Sequence, residues 1–484
     1  MKEQGKESLQ RQLTPVHVWA IAFGCIIGWG SFVNPGKKFL PNSGVAGTAI
    51  AMVLGALVMM IIAFSYAYMI PKHPKAGGEF TFTKESFGKN VAFVCGWFLI
   101  AAYLTNVPMN STAIGLIVDG LDGTADILKF GFHYSVAGFE IYFGEMIFAV
   151  SILVLFAVLN ILGVEKAGFI QTMLSGLLVS SVVVLAVSAL VSEKAQAANM
   201  APIWGFDKAA AVAAGASSEN IGGFARQGAS GITSAILATF AIAPWAYVGF
   251  DTIPQAAEEF KFSYKKVIGI MVVAILFGCF VYTTNNLVAA AALKNWPDRV
   301  MAGDWVLLIA AEEMLGVFGK VLIGVAVSSA VLSGIMGFYL ASSRLLYSMA
   351  KDGYLPKVFA KIDGKHGTPR NAIVFCLIIS LSGPVLGREA LGWFVDMSAI
   401  GASMGFFFTC AAAIKNMRKD RDGNAGLKVM AAAGAGFSAA FMVLQLVPIP
   451  GLSGVHFGRE SYWMLLVWVV LGILFFPYKQ ISRK

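Results

Sequence analysis

The chain consists largely of uncharged apolar runs of about 20 residues, separated by short segments that carry charge, Pro or Gly. A helix of about 20 residues crosses the ~30 Å hydrocarbon core of a bilayer. Only 13% of the 484 residues are charged, against about 25% in soluble domains, and this excludes a soluble enzyme. The sequence therefore predicts an all-α polytopic membrane protein.

Twelve runs are predicted to cross the membrane. The first is too long for a cleaved signal peptide and is expected to stay in the protein. Residues 1–15 and 479–484 are predicted as tails, 16–415 as a core of ten helices, and 429–478 as two further helices. The predicted spans are 16–40, 44–70, 91–118, 141–163, 168–192, 232–256, 267–292, 319–349, 371–387, 390–414, 429–448 and 462–478.

The distribution of basic residues predicts the orientation of the chain. With the N-terminus inside, 24 of the 36 Lys and Arg residues fall in cytoplasmic segments, 10 in outer segments and two within spans. This bias predicts both termini in the cytoplasm, and it explains the net charge of +9 without nucleic acid. Because the sequence shows neither a targeting segment nor long soluble tails, a multi-pass protein of the cell (inner) membrane is expected. The five cysteines are isolated within apolar runs and are interpreted as core residues, not as disulfide or metal ligands.

Two spans contain residues that interrupt a helix near the middle. Span 1 has three glycines, at 24, 28 and 30, and span 6 has Pro244 and Gly249. Glycine lowers helix propensity and proline removes a backbone donor, so both spans are expected to unwind there. The two spans run in opposite directions, and paired broken helices are typical of an inverted repeat with a substrate site between the breaks.

The chemistry expected at the breaks suits a zwitterion. Free amides at the start of the second half of span 1 favour a carboxylate, and free carbonyls at the end of the first half of span 6 favour an ammonium group. The alternative is that the glycines only permit close helix packing. The candidate substrate-binding residues at the breaks are Ile27, Gly28, Trp29, Gly30, Ser31, Phe240, Ala241, Ala243 and Trp245.

Three motifs resemble those of the amino acid, polyamine and organocation (APC) superfamily of secondary transporters. Residues 24–32, GCIIGWGSF, are similar to its G-x-x-I-G-x-G-x-F element, and residues 74–80, PKAGGEF, to its P-x-x-G-G-x-Y/F element. Residues 341–356, ASSRLLYSMAKDGYLP, are similar to its S-R-x-x-Y-x-M-A-x-D-G-x-x-P element. The resemblance covers about residues 14–415.

This resemblance implies a LeuT-type fold of 12 transmembrane helices. It has a 5+5 inverted repeat at about 16–192 and 232–414, with discontinuous helices 1 and 6. Spans 1, 2, 6 and 7 would rock against spans 3, 4, 8 and 9. The implied activity is secondary active transport of amino acids across the cytoplasmic membrane by alternating access, as a symporter or exchanger. The resemblance also implies that Trp245 caps the substrate and that Asp251 senses protons.

The coupling ion is expected to be H⁺ or Na⁺. Asp251 lies within an apolar span, where an acid is costly and is a functional candidate, although it could instead hydrogen-bond backbone freed by the break. Some proton-coupled relatives place a Lys in span 5, but residues 168–192 contain no Lys or Arg. The hydroxyls of Ser328 and Ser329 are candidate sodium ligands or ordinary packing residues.

Substrate selectivity is expected to come from spans 3 and 10. The absence of an acidic cluster in span 3 favours neutral or mono-amine amino acids over polyamines. Asp396 and Glu145 lie near span ends, where solvation at the interface is the expected role. The candidate selectivity residues are Tyr103, Asn106, Met109, Asn110, Ser398, Ser403 and Phe406.

Other functions were weighed against amino acid transport. The first alternative is transport of an amine without a carboxylate, such as ethanolamine or a polyamine, and a transporter-like nutrient sensor is a weaker one. The five histidines are scattered, which argues against a membrane enzyme and against a cofactor or metal site. The expected partners are a small-molecule substrate and the lipid bilayer, with the chain a monomer or homodimer and no nucleic acid bound.

Overall fold

The structure is a computed structural model that describes residues 9–122, 126–136, 138–387, 390–421, 423–449 and 456–476. Most of these residues are helical. The helices of the first half are α1 (Pro15–Ile26), α2 (Gly30–Asn34), α3 (Leu40–Lys72), α4 (Gly78–Phe87), α5 (Lys89–Leu104), α6 (Asn106–Asp122), α7 (Phe143–Ile161), α8 (Val164–Val191) and α9 (Lys208–Ala213). A π-helical turn at Pro35–Phe39 joins α2 to α3.

The second half continues the helical pattern. Its helices are α10 (Gly228–Phe240), α11 (Ala243–Ala246), α12 (Val267–Ala291), α13 (Trp296–Ala302), α14 (Val306–Leu315), α15 (Val317–Lys351), α16 (Arg370–Ser380), α17 (Ser382–Leu386), α18 (Ala390–Lys419), α19 (Ala425–Leu446) and α20 (Arg459–Phe475). Short 3₁₀ helices lie at Ala197–Met200, Ile221–Phe224, Phe250–Glu259, Tyr264–Lys266 and Lys357–Ala360.

Helices of membrane-spanning length and hydropathy account for about half of the 484 residues, and the chain is a polytopic membrane protein. Shorter apolar helices occupy Pro15–Ile26, Gly228–Phe240 and Arg370–Leu386. Within the described residues, the eight longer candidate spans are Gly30–Lys72, Lys89–Leu121, Phe143–Ile161, Val164–Val191, Tyr264–Ala291, Val317–Lys351, Ala390–Lys419 and Ala425–Leu446.

Several elements depart from the sequence-based expectations. The expectation of an all-α chain is corrected by strands β1 (His133–Val136) and β2 (Phe139–Tyr142), which pair antiparallel between spans 3 and 4. Their Val, Ile, Tyr and Phe residues favour extended backbone, so this loop forms a hairpin. Helices α4, α13 and α14 also lie in predicted loops, where they are too short to read as spans.

The exposed surface of the helices is strongly apolar. Leu190, Val191 and Val317 are 86%, 78% and 77% exposed, and many other large apolar side chains share this outer surface. Such exposure would favour aggregation of a soluble protein and is expected where lipid covers the helices. Buried polar groups therefore lie inside the helix bundle, where neighbouring helices must satisfy them.

Helix α15 runs through the centre of the bundle and organises the site. It contacts α1, α5, α6 and α8, and its residues from Ser333 to Ala350 are all buried. Its end packs near the segments that precede α1 and follow α3, since Tyr347 packs with Leu9 and the Ser348 hydroxyl donates to the Ala76 carbonyl at 2.8 Å. We call this side of the bundle, where α1 begins and α3 and α15 end, the N-terminal face.

Candidate functional site

The first predicted span is interrupted where its glycines lie. Helix α1 ends at Ile26, and Ile27 has an extended backbone with φ −98° and ψ 103°. Helix α2 begins three residues later at Gly30. The interruption therefore covers residues 27–29, at the middle of the predicted span.

The sixth predicted span is interrupted over a longer stretch. Helix α10 ends at Phe240, α11 covers only Ala243–Ala246, and a 3₁₀ helix begins at Phe250. Between them Gly249 has φ +147° and ψ −44°, a conformation that side chains other than that of glycine rarely adopt. Pro244 thus lies in the short helix α11 within the irregular segment, and Gly249 lies at its end.

The two interruptions pack directly against each other. A Cβ atom on Gly249 would lie 2.5 Å from the backbone nitrogen of Ile26. On the other side of the contact, the Trp29 and Trp245 rings lie 6.5 Å apart between centroids, and a Cβ on Gly30 would lie 2.4 Å from the Trp245 ring. The sequence-predicted residues of spans 1 and 6 are therefore brought together.

Most of the amides predicted to be free at the first interruption remain so. Within the described residues, no hydrogen-bond acceptor is found for the N–H groups of Gly28, Trp29 and Gly30, or for the buried Trp29 indole. The Ser31 amide differs, because it donates to the Gly28 carbonyl at 3.2 Å, as the Ser31 hydroxyl does at 2.9 Å. Three backbone donors and one indole donor are available to a ligand.

Of the span 6 carbonyls predicted to be free, one accepts a backbone hydrogen bond and two do not, within the described residues. The Ala243 carbonyl accepts the Tyr247 N–H at 3.0 Å within the α11 turn. No backbone donor to the carbonyls of Phe240 and Ala241 is found in the part of the chain that the structure describes. These two carbonyls, at the end of α10, keep the acceptor capacity expected at a helix C-terminus.

Span 3 places two asparagines beside the interruption in span 1. The Asn110 side chain donates to the Asn106 carbonyl at 2.8 Å, and its buried Oδ1 has no partner among the described residues. That oxygen lies 3.4 Å from where a Cβ on Gly28 would be. Asn106 is turned away, donating to Ser398 Oγ at 2.8 Å, and Met109 is buried.

A buried carboxyl network lies between the interruptions and the N-terminal face. The Tyr103 hydroxyl lies 3.0 Å from both Glu79 Oε1 and Asp251 Oδ2, and Asp251 Oδ1 accepts the Gly249 N–H at 2.7 Å. Glu79 also accepts from Tyr66 at 2.9 Å. On α4, outside the spans, burial and the Asp251 carboxyl raise the pKa of Glu79. Glu79 was not a candidate from the sequence, although it lies within the PKAGGEF motif.

A buried ion pair lies at the N-terminal face. Arg344 donates to Glu259 through Nε at 3.3 Å and Nη2 at 3.0 Å, and both side chains are fully buried. The Glu259 carbonyl accepts the amides of Gln12 and Leu13, each at 2.9 Å. The segment before α1 is thus attached to the end of the broken sixth span.

The serines predicted as sodium ligands lie away from the interruption. Ser328 and Ser329 line a lateral groove together with Leu174 and Leu177. The α15 hydroxyl that reaches span 1 belongs to Ser333, which lies 3.3 Å from the Gly24 carbonyl. Sequence reasoning missed Ser333, which lies about one helical turn further along the same helix.

A glutamine of α8 occupies the junction of α1, α8 and α15. The Gln171 amide and the Ser175 hydroxyl each donate to the Ala20 carbonyl at 3.1 Å. A Cβ on Gly24 would lie 2.1 Å from Gln171 Nε2, so the amide fills the space beside that glycine. The span that lacks Lys and Arg therefore still supplies an N–H donor to span 1.

The remaining predicted residues lie on α18 and α7. The Ser403 hydroxyl donates to the Ala399 carbonyl at 2.8 Å within α18, and Phe406 stacks on Phe250 at 5.4 Å, near the carboxyl network. Asp396 accepts from Ser461 at 2.6 Å, and Glu145 lines a small cleft with Ser111. No cluster of three or more His, Cys, Asp or Glu suited to a metal ion occurs in the described ranges.

We expect Gln171→Ala to destabilise the protein by about 1–3 kcal/mol, because a buried polar contact to α1 is lost and a cavity remains. Unfolding of the purified protein in detergent measures the change. Ser180→Ala is the matched control, since Ser180 is exposed on the same helix and its hydroxyl donates to the Gly176 carbonyl of that helix. Equal stability of the two variants would contradict a structural contribution of Gln171.

Comparison with known proteins identifies similar chains. A family model described as amino acid permease matches residues 13–474. The branched-chain amino acid permease BcaP of Bacillus subtilis (strain 168) is 24% identical over 499 residues, covering 99% of this chain and 95% of BcaP. The human large neutral amino acids transporter small subunit 2 is 26% identical, over 78% of this chain and 64% of the relative. The vacuolar cationic amino acid transporter 2 of Arabidopsis thaliana is 25% identical, over 81% and 56%.

Proposed function

The chain belongs to the amino acid permease family, and from this premise we propose that it is a secondary active transporter that carries amino acids across the cell membrane by alternating access. The observation that carries the proposal is the contact between the two broken helices. Free amides at Gly28, Trp29 and Gly30 and free carbonyls at Phe240 and Ala241 flank this contact. A free amino acid offers the carboxylate and ammonium groups that such donors and acceptors bind.

The proposed architecture is the LeuT-type fold with 12 spans. In this arrangement the repeats at about 16–192 and 232–414 are inverted, and the bundle of spans 1, 2, 6 and 7 moves against the scaffold of spans 3, 4, 8 and 9. Both termini lie in the cytoplasm, in accordance with the positive-inside bias. The N-terminal face is then the cytoplasmic side, and the ion pair of Arg344 and Glu259 closes it. The transporter works as a monomer or homodimer, as a symporter or exchanger.

The proposed substrates are neutral amino acids with large apolar side chains. Trp29, Trp245 and Met109 supply apolar surface near the interruptions, and the amide of Asn110 is uncharged. A cationic side chain would need an acidic partner in this desolvated region. The names of two relatives, a branched-chain amino acid permease and a large neutral amino acids transporter, agree with this substrate class.

The proposed transport does not depend on sodium. A sodium ion would need several oxygen ligands at the junction of spans 1, 5 and 8. There the Ala20 carbonyl already accepts from Gln171 and Ser175, and the Gly24 carbonyl from Ser333. Because Ser328 and Ser329 line the lateral groove, they are not proposed as ligands.

We expect leucine to raise the unfolding temperature of the purified protein in detergent, because a ligand that binds only the folded state stabilises it. The decarboxylated amine of leucine, at the same concentration, should give no shift, since the amides at Gly28 to Gly30 need a carboxylate. Replacing sodium by potassium should leave the leucine shift unchanged. A shift with the amine alone would instead support an amine transporter.

A variant pair tests whether the leucine shift arises at the interruptions. Gly30→Ala should abolish it, because the new Cβ would lie 2.4 Å from the Trp245 ring. Gly176→Ala in α8 should retain it, because no atom lies within 4 Å of a Cβ at that position. A shift that survives in Gly30→Ala would place the binding site elsewhere.

A further inference from the structure

Helix α12, which corresponds to the seventh predicted span, packs along both halves of the interrupted first span. It contacts α1, α2 and α3. A Cβ on Gly278 would lie 2.6 Å from the Ile26 side chain, so the last residue of α1 lies directly against the α12 backbone. Further along α12, Tyr282 and Asn285 are 1% and 0% exposed. The middle of α12 therefore faces the interruption with two buried polar side chains.

The Ser31 carbonyl, in the second half of span 1, lacks the usual helical donor. In a regular helix it would accept the N–H of the residue four positions later, but that residue is Pro35, which has no backbone N–H. Asn285 replaces the missing donor, because its Nδ2 donates to the Ser31 carbonyl at 2.9 Å. The second half of the span is thus attached to α12 where its own backbone cannot supply the bond.

The Ile26 carbonyl, in the first half of span 1, lacks its helical donor for a different reason. The residue four positions later is Gly30, whose N–H has no acceptor among the described residues because the helix is interrupted. The Tyr282 hydroxyl donates to the Ile26 carbonyl at 3.4 Å. Two side chains of one helix, about 4.5 Å apart along its axis, therefore hold the carbonyls on either side of the free amides.

The amide of Asn285 is an expensive way to fill this position. Rotation of the amide by about 180° would set its oxygen against the Ser31 carbonyl, so the donating orientation is fixed. In that orientation Oδ1 is buried without a hydrogen-bond partner in the described part of the chain. A leucine has the same branched shape and would leave no unpaired polar atom of its own. The asparagine therefore fits a side chain that serves the position of span 1 more than the stability of the fold.

We propose that Asn285, together with Tyr282, is a positioning residue of the substrate site. The two side chains set the separation of the two halves of span 1. This separation keeps the amides of residues 28–30 free and directed at a carboxylate. Resting on the proposed transport function, the inference extends the site from the groups that bind the substrate to the helix that holds those groups in place.

Titration of leucine tests the role, with the unfolding temperature of the purified full chain in detergent as the readout. In Asn285→Leu the leucine concentration that gives half of the maximal shift should rise at least about 10-fold, because misplaced amides lose a hydrogen bond to a charged carboxylate. The unfolding temperature without leucine should stay close to that of the wild type, since the variant removes the unpaired oxygen together with the donor. A purely structural role would instead lower this temperature and leave the leucine affinity unchanged.

Asn286→Leu is the matched control. Asn286 is the next residue of α12, is 1% exposed and donates to the Gly44 carbonyl of α3 at 3.3 Å. Its Oδ1 is likewise buried without a partner among the residues that the structure describes. This variant should bind leucine as the wild type does. An equal loss of leucine affinity in Asn285→Leu and Asn286→Leu, or an unchanged affinity in Asn285→Leu, would overturn the proposal.

Tyr282→Phe tests the same role if Asn285→Leu yields no folded protein, because it removes only a hydroxyl. The Tyr282 contact is longer than that of Asn285, so the leucine concentration for half of the maximal shift should rise less, by about 3-fold. An unchanged leucine affinity in Tyr282→Phe would then overturn the proposal.

Hydrogen–deuterium exchange of the protein without leucine supplies a readout that does not depend on the substrate. The amides of Phe32 and Val33 donate to the Trp29 carbonyl at 3.0 Å and 3.1 Å, in the first turn of α2. In Asn285→Leu a peptide covering residues 28–34 should exchange faster than in the wild type, because α2 can then open locally. Wild-type exchange of this peptide in Asn285→Leu would overturn the proposal.

The two readouts separate the failure of this inference from the failure of the proposed function. In Asn286→Leu the same peptide should exchange at the wild-type rate. If leucine does not shift the unfolding temperature of the wild type but exchange is faster in Asn285→Leu alone, the proposed substrate class fails and the positioning role stands.

Discussion

Replacing Arg344 with Met will destabilise the folded protein by about 3–5 kcal/mol, because the Glu259 carboxylate is left buried without its partner. Both side chains are completely buried, and Arg344 contacts both Glu259 oxygens. Unfolding in detergent, followed by tryptophan fluorescence or by loss of monodisperse protein on heating, measures the effect. We expect a strongly reduced yield of folded protein and a clearly lower unfolding temperature.

Two further variants separate the buried charge from general damage. Lys84→Met alters the pair with Asp352, whose side chains are 21% and 29% exposed, and should cost less than about 1 kcal/mol. Combining Arg344→Met with Glu259→Leu removes both charges and should recover much of the lost stability. If Arg344→Met were as stable as Lys84→Met, the buried pair would not stabilise the folded protein.

Replacing Gly249 with Ala will prevent the two broken helices from packing. The new Cβ would lie 2.5 Å from the Ile26 nitrogen and 2.7 Å from the Ala22 carbonyl oxygen, and backbone atoms cannot move aside independently. The φ of +147° adds strain of about 1–3 kcal/mol for a residue with a side chain. We expect a large loss of stability together with loss of the leucine shift.

The matched control is Gly269→Ala in α12. A Cβ at Gly269 would meet no atom within 4 Å, and alanine favours a helix by about 0.5–1 kcal/mol over glycine. This variant should unfold at or above the wild-type temperature and should still bind leucine. A Gly249→Ala protein that behaves like Gly269→Ala would show that the interruptions do not need their close contact.

The two interruptions could be predicted because their causes are local. Gly28 and Pro244 change the backbone at their own positions, and this holds whatever surrounds them. The candidate residues at the end of the first half of span 6 extend to Ala243, whereas α10 already ends at Phe240. Such an offset arises because several residues between Ala241 and Gly249 favour a helix only weakly, so that no single position fixes where the helix ends.

Glu79 could not be identified in the same way, because its role depends on distant parts of the chain. In the sequence it lies between Lys75 and Lys84, in a segment that reads as a charged loop. Its burial arises only when α3, α5 and the irregular part of span 6 meet around it. The PKAGGEF motif could have raised it as a candidate, because Glu79 is the one acidic residue in a segment that resembles a family motif.

The serines of α15 illustrate the limit set by helix orientation. Ser328, Ser329 and Ser333 lie on one helix, and hydropathy does not tell which of them faces α1 when the helix is apolar on nearly every side. The structure turns Ser333 towards Gly24 and the other two towards the lateral groove. A difference of about one turn thus separates a contact with α1 from a contact with the groove.

Helix α15 has 35 residues and is about 52 Å long, well beyond the ~30 Å hydrocarbon thickness. Ser333, which contacts the Gly24 carbonyl in span 1, and Arg344, which pairs with Glu259 at the N-terminal face, are about 16 Å apart along this continuous helix. In the transport that we propose, an unbroken helix keeps this separation constant while its partners move. Rearrangement at one contact then changes the partners of α15, while the geometry of α15 itself stays the same.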